Sequence, residues 1–121
     1  MNLIKYIMTY PNIVILNFDL GIRANYDDLY RFLDSYEAMD CGNSNAVFIY
    51  PFKGGDLSYE DKFEQVKKEL ERTAEFSKND RIYVIVHNND GVAKGKFLFG
   101  QRKTPIWDGY AVKEEDDNLP F

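Results

Sequence analysis

The sequence is short of the residues that usually announce chemistry. Its 121 residues include one cysteine, Cys41, one histidine, His87, and one tryptophan, Trp107. A lone cysteine forms no internal disulfide, so the fold does not depend on oxidation and a reducing cytoplasm is the natural compartment. Cys41 has no CxxC partner and no neighbouring histidine, which leaves a buried or idle thiol as its reading. No apolar run approaches the roughly 18–20 residues of a membrane span. Lys5 interrupts the apolar stretch Met1–Met8, and no small-residue cleavage site follows it, so neither an anchor nor a signal peptide is expected. Positive charge is scarce too. Fifteen Lys and Arg stand against twenty Asp and Glu, and the net charge of −5 argues against strong non-specific binding of nucleic acid, which needs clustered cations. Lys53-Gly54-Gly55-Asp56 lacks the Gly-Lys-Ser/Thr of a phosphate loop and reads as a turn.

What is present is an aromatic-rich chain of single-domain length, with Tyr 9 and Phe 9. Its most apolar run is Ile13–Leu20, dense in β-branched and aromatic residues and uninterrupted by Pro or Gly. That composition predicts a central strand buried on both faces. Gly21 lets the chain turn sharply after it. Tyr26, Leu29, Tyr30, Leu33 and Tyr36 recur at helical spacing, with Asn25 as N-cap and Asp27 and Asp28 in the first turn, and predict a helix near 26–38. A second strand is expected over 46–50, stopped by Pro51. Tyr59, Phe63, Val66, Leu70 and Thr73 define one buried face of a second helix near 58–76, opened by Ser58 and Asp61 as a capping box. Its charged face, with Glu64–Lys68 and Lys67–Glu71 spaced at i+4, reads as solvated.

A third strand is predicted over 81–87, a turn at Asn88-Asn89-Asp90-Gly91, and a fourth strand over 95–101. Residues 106–112 read as a short fifth strand or an arm, residues 2–9 as a short edge strand or else a short helix, and 113–121 as a mobile acidic tail. Two singly amphipathic helices interleaved with strands imply an α+β fold: a two-layer sandwich, an antiparallel sheet with both helices on one face, ferredoxin-like in its element order.

Short stretches of the chain resemble a known family. Ile15–Leu20, with its Phe-Asp-Leu ending, is similar to the first strand of the small CRISPR-associated adaptation nucleases. Tyr26–Leu33, Ser44–Phe48 and Asn79–Ile85 resemble further segments of that family and of the related virulence-associated protein D toxins. The resemblance covers about residues 13–86. It implies a dimeric ferredoxin-like protein acting as a metal-dependent nuclease or nucleic-acid-binding protein. By position it makes Asp19 the catalytic acid and Mg²⁺ ligand at a two-fold interface. The family has a bent pair of strands where this chain shows only one before Gly54-Gly55.

Each candidate residue has two readings. Asp19, at the end of the central strand, is either a ligand completed by its symmetry mate or a cap on the following turn. His87 ends a strand expected beside the central one, and reads as a general acid/base near Asp19 or as a structural histidine. Lys94, Lys96, Arg102 and Lys103 follow one another along the last hairpin, among Phe97, Phe99 and Trp107, and form a candidate nucleic-acid interface. Alternatively Phe97, Phe99, Ile106 and Trp107 are core or a homodimer interface. The second function class is a non-catalytic acidic interaction module, phage- or mobile-element-borne, that modulates a partner protein.

Overall fold

The computed structural model describes residues 12–22, 26–87 and 91–111. The expected strand over 2–9, the Asn25 cap, the Asn88–Asp90 turn and the tail 113–121 lie outside the described residues. Five strands and two helices follow in the order β1 (Ile13–Asp19), α1 (Tyr26–Ser35), β2 (Met39–Asp40), β3 (Asn45–Ile49), α2 (Tyr59–Thr73), β4 (Arg81–His87) and β5 (Ala93–Phe99). The sheet order is β2-β3-β1-β4-β5, every neighbour antiparallel. This is the α+β sandwich of the ferredoxin-like kind, extended by one hairpin strand at its β4 edge.

β1 is central because both of its edges are hydrogen-bonded. Val14 stands between Phe48 and Val86, and Leu16 between Ala46 and Val84. Strand side chains alternate faces, so these residues share one face, and they are fully buried. Leu29 and Phe32 of α1 and Phe63, Val66 and Leu70 of α2 close over them. Burying a side chain of this size contributes about 1.5–3 kcal/mol. Ile13 and Ile15 point to the other face, where they meet Ile49, Val47 and Ile85.

α2 begins as its sequence dictates. Ser58 Oγ accepts from the Asp61 amide at 3.1 Å, and Asp61 Oδ2 accepts from the Ser58 amide at 3.0 Å. That amide hydrogen bond holds the Asp61 carboxyl below its usual range. Ala74, extended at φ −148°, ends the helix earlier than the periodicity suggests. α1 also stops early, at Ser35, because Glu37 takes the left-handed region at φ 53°. Beyond the expected helix lies β2, a two-residue strand beside β3 that the sequence did not announce, so a pair of strands precedes Gly54-Gly55 after all.

β5 departs from simple alternation. Tyr83 pairs with Phe97 but its neighbour Ile82 pairs with Phe99, so Leu98 is the extra residue of a β-bulge. The bulge turns Phe99 towards the core, where its ring lies 4.6 Å from that of Phe76. Phe97 stays on the opposite face against Tyr83, 4.9 Å away. On that face the Tyr83 ring crosses β5 over Gly95, where a Cβ would stand 2.0 Å from the phenol oxygen. Residues 106–109 form turns rather than a fifth strand.

Gly100 closes the bulge with φ +78°, and a Cβ there would come within 2.6 Å of the Asp80 carbonyl oxygen and of Arg81 Cγ. Left-handed strain and a backbone clash act together, so Gly100→Ala should destabilise the fold by about 1–3 kcal/mol. Urea denaturation measures this; an unchanged midpoint would show that the β4–β5 corner is not held as described.

Candidate functional site

The end of β1 is the point where charge gathers. Asp19 faces Arg81 across the β1–β4 pair, and Arg81 Nη2 donates to Asp19 Oδ2. The Asp19 side chain is 57% exposed and that of Arg81 23%, so the pair lies at the rim rather than in the core. Arg81 Nε is buried and has no hydrogen-bond partner among the described residues. The next side chain, Asp80, points inward and is buried. Its two oxygens accept from the Gly21 amide at 2.6 Å and the Ser77 amide at 2.7 Å. One carboxylate therefore ties the turn after β1 to the turn before β4.

Beside this corner lies an open depression of about 1640 Å³. Lys78, Arg81, Arg102 and Lys103 line it with Asp19 and Glu75. Arg102 and Lys103 thus come together with Asp19. Lys94 and Lys96 do not. They sit at the other end of β5, on the helix-covered face, opposite Val86 and Val84. Lys96 Nζ pairs with Glu60 Oε2 at 2.8 Å, and Lys94 Nζ lies 4.7 Å from the Tyr59 ring centre. The four cations of the hairpin are two separate pairs.

His87 is likewise remote from Asp19. Asp19 pairs with Arg81 at the start of β4, and His87 is the seventh and last residue of that strand, about 20 Å away at strand rise. Antiparallel pairing, which the strand order alone does not reveal, puts the two at opposite ends. His87 is buried, and its carbonyl accepts from Lys62 Nζ at 3.0 Å. Among the described residues no group of three His, Cys, Asp or Glu side chains is placed to hold a metal ion. Asp80 is spent on backbone amides and Asp19 meets a guanidinium. Cys41 is an exposed free thiol.

The sequence reading missed a polar cluster between the helices. Tyr36 Oη donates to Glu69 at 2.5 and 2.6 Å, and Tyr50 Oη donates to the same carboxylate at 3.0 Å. The Tyr36 and Tyr50 rings are 5.3 Å apart, and Phe48 stacks on Tyr36 at 5.7 Å. Burial first, and then the hydrogen bond to Glu69 and its charge, push the Tyr36 phenol up to about 12. Burial, followed by the charge of Glu69, pushes Tyr50 upward as well. A signal was available: Lys62, Val66, Glu69 and Thr73 repeat at 4, 3, 4 along α2, so Lys62 and Glu69 share a stripe with a core residue.

The surface segment after β5 completes the inventory. Ile106, Trp107 and Tyr110 are 89%, 71% and 84% exposed, and Ile22, in the wall of the depression, is fully exposed. Turn hydrogen bonds from the Asp108 amide to the Pro105 carbonyl and from the Tyr110 amide to the Trp107 carbonyl, both 3.1 Å, shape the segment. Of the four residues expected at an interface, Ile106 and Trp107 face solvent, Phe97 is half-buried under Tyr83, and Phe99 packs inward. Among the described residues no helix is long and apolar enough to cross a membrane. Comparison of the chain with protein-family models, with curated proteins and with solved structures gives no match.

Two outcomes test this geometry. Asp80→Ala orphans two backbone donors and should cost about 1–3 kcal/mol, whereas Asp19→Ala removes a rim ion pair and should cost less than about 1 kcal/mol. Equal losses in urea denaturation would contradict the assignment. The phenols set a pH dependence with a definite sign. A group whose pKa is higher folded than unfolded contributes stability fully below the unfolded value, about 10. That contribution is then lost as pH rises through the folded value. Stability should therefore fall from about pH 10 towards 12, and less steeply in Tyr36→Phe, as followed by the denaturation midpoint.

Proposed function

We propose that the protein is a non-catalytic interaction module that grips a partner protein through the segment 105–110. The observation that carries this reading is the outward display of Ile106, Trp107 and Tyr110, each more than two-thirds exposed. Large apolar side chains left together in water invite a partner. Trp, Tyr and Arg are also the residue types that carry most binding energy at protein interfaces, and Arg102 and Trp107 stand five residues apart here. Arg102 and Lys103 supply a cationic rim, so the matching surface on the partner is apolar at its centre and acidic at its edge. The composition agrees: an acidic chain whose cations are split between two corners is poorly built to track a polyanion.

A second reading, nucleic-acid binding with a Mg²⁺ ion shared between the Asp19 carboxylates of a homodimer, is favoured by Lys78, Arg102 and Lys103 around the depression that Asp19 borders.

A photo-cross-linking amino acid at position 106, in cells expressing the chain, separates the two. A protein adduct that disappears in Trp107→Ala is the expected result, and an adduct of twice the 14.2 kDa chain mass would identify the partner as a second copy. Nuclease-sensitive adducts, or the absence of any adduct, would overturn the reading. Mg²⁺-dependent cleavage of an oligonucleotide, lost in Asp19→Asn, would establish the second reading instead.

A further inference from the structure

A groove of about 620 Å³ lies on the far side of β1 from the basic depression, between α1 and the turn that joins β2 to β3. Its wall is aromatic. Phe18 of β1 meets Tyr26 and Tyr30 of α1 edge-on, with ring centres 6.4 and 6.2 Å apart, and the two tyrosines lie 5.7 Å from each other. Tyr26 and Tyr30 are 36% and 51% exposed, so the ring cluster opens to solvent instead of closing into the core. The helix periodicity marks both tyrosines as core-facing, yet they pack on the Phe18 ring and stay open to solvent.

The rest of the lining is apolar or neutral polar except for two carboxylates. Asp34 and Asp40 both border the groove. The Asp40 carboxylate is partly engaged, accepting from the Gly42 amide at 2.8 Å. Asp34 is exposed, and among the described residues nothing donates to its carboxylate. The backbone oxygens of the turn are already used: Ser44 accepts from the Phe18 amide at 3.0 Å, and Gly42 from the Asn45 amide at 3.0 Å. Among the described residues no Lys or Arg lines the groove. Ring faces carry negative quadrupoles and attract cations. Combined with a carboxylate that lacks a donor, they select against anions and neutral apolar ligands.

We propose that this groove binds an arginine-bearing segment of a partner protein, the guanidinium stacking on Tyr26 and Tyr30 while it donates to Asp34. Charge complementarity names a cation, and the geometry names arginine among cations. A planar guanidinium stacks on an aromatic face and forks onto a carboxylate at once, which an ammonium does less well. A quaternary ammonium has no N–H to give Asp34, and its usual receptor is a closed aromatic cage, whereas these rings line an open groove. The volume exceeds one side chain and falls in the range of peptide and small-ligand sites. This site shares no residue with the 105–110 segment, so the two proposals stand or fall on different variants.

The probe is the peptide acetyl-Gly-Arg-Gly-amide, followed by amide NMR shifts of the full chain. Shifts should be confined to residue 18 and to residues 26–34 and 38–46. Binding should weaken roughly fivefold in Tyr30→Ala and in Asp34→Asn, and roughly tenfold when citrulline replaces arginine. Glu64→Gln, which removes an exposed charge from α2, serves as the control for net charge and should leave the affinity unchanged. Unperturbed amides elsewhere in each variant report that the fold is intact. Four results would overturn the proposal: no binding, equal binding of the citrulline peptide, equal weakening by Glu64→Gln, or tetramethylammonium binding as tightly as the arginine peptide.

Discussion

Hydrogen bonding of β1 along both of its edges is the constraint on which the rest of this structure depends. A strand paired on two sides has its backbone groups satisfied within the sheet, and it sets the position of every neighbouring strand. Val14 and Leu16 are sealed by both helices on one face, while Ile13 and Ile15 extend the apolar surface of the other. Each helix then has a fixed place. α1 must cross from the end of β1 to β2, and α2 from β3 to β4, and both crossovers return over the face that carries Val14, Phe48 and Val84. β5 is the one strand added outside this frame. It is accommodated by the bulge at Leu98 and by Gly95 and Gly100, which let Tyr83 and Arg81 pass close to its backbone.

The same constraint makes the end of β1 a crossroads. Where the strand stops, its two neighbours diverge and two depressions open, one on the β4 side and one on the β3 side. The first is rich in Arg and Lys, the second in Tyr and Asp. In the first, the buried carboxylate of Asp80 fastens the turn after β1 to the turn before β4. Asp19 does the reverse of what its isolation in the sequence suggests: its charge is answered by Arg81 within the sheet. The surface thus carries opposite charges on the two sides of one strand end. His87 lies a full strand length away from Asp19, at the opposite end of β4.

Much of the fold was legible because it rests on local periodicity. The apolar run of β1, the Ser58–Asp61 capping box and the stripe Phe63, Val66, Leu70 each imply a local structure without reference to the rest of the chain. The misreadings arose where a long-range partner overrode local pattern. Phe97 and Phe99, two residues apart, read as one face; a bulge against Tyr83 sends them to opposite faces. Tyr36 read as the end of a helical stripe, yet Glu69 takes its hydroxyl from another helix and Glu37 turns left-handed just beyond it. Lys94, Lys96, Arg102 and Lys103 are neighbours in sequence, but a seven-residue strand separates them into two environments.

The sequence by itself determined both helices, the strands β1, β3, β4 and β5, that β1 is central, and that the chain folds as an α+β sandwich, because hydrophobic spacing and capping are properties of adjacent residues. Only the tertiary structure decided which charges meet. Asp19 with Arg81, Glu69 with Tyr36, and Asp80 with the Gly21 amide are pairings across 33 or more residues. Their formation depends on strand direction and register, which the antiparallel sheet fixes and which no local window of the chain contains.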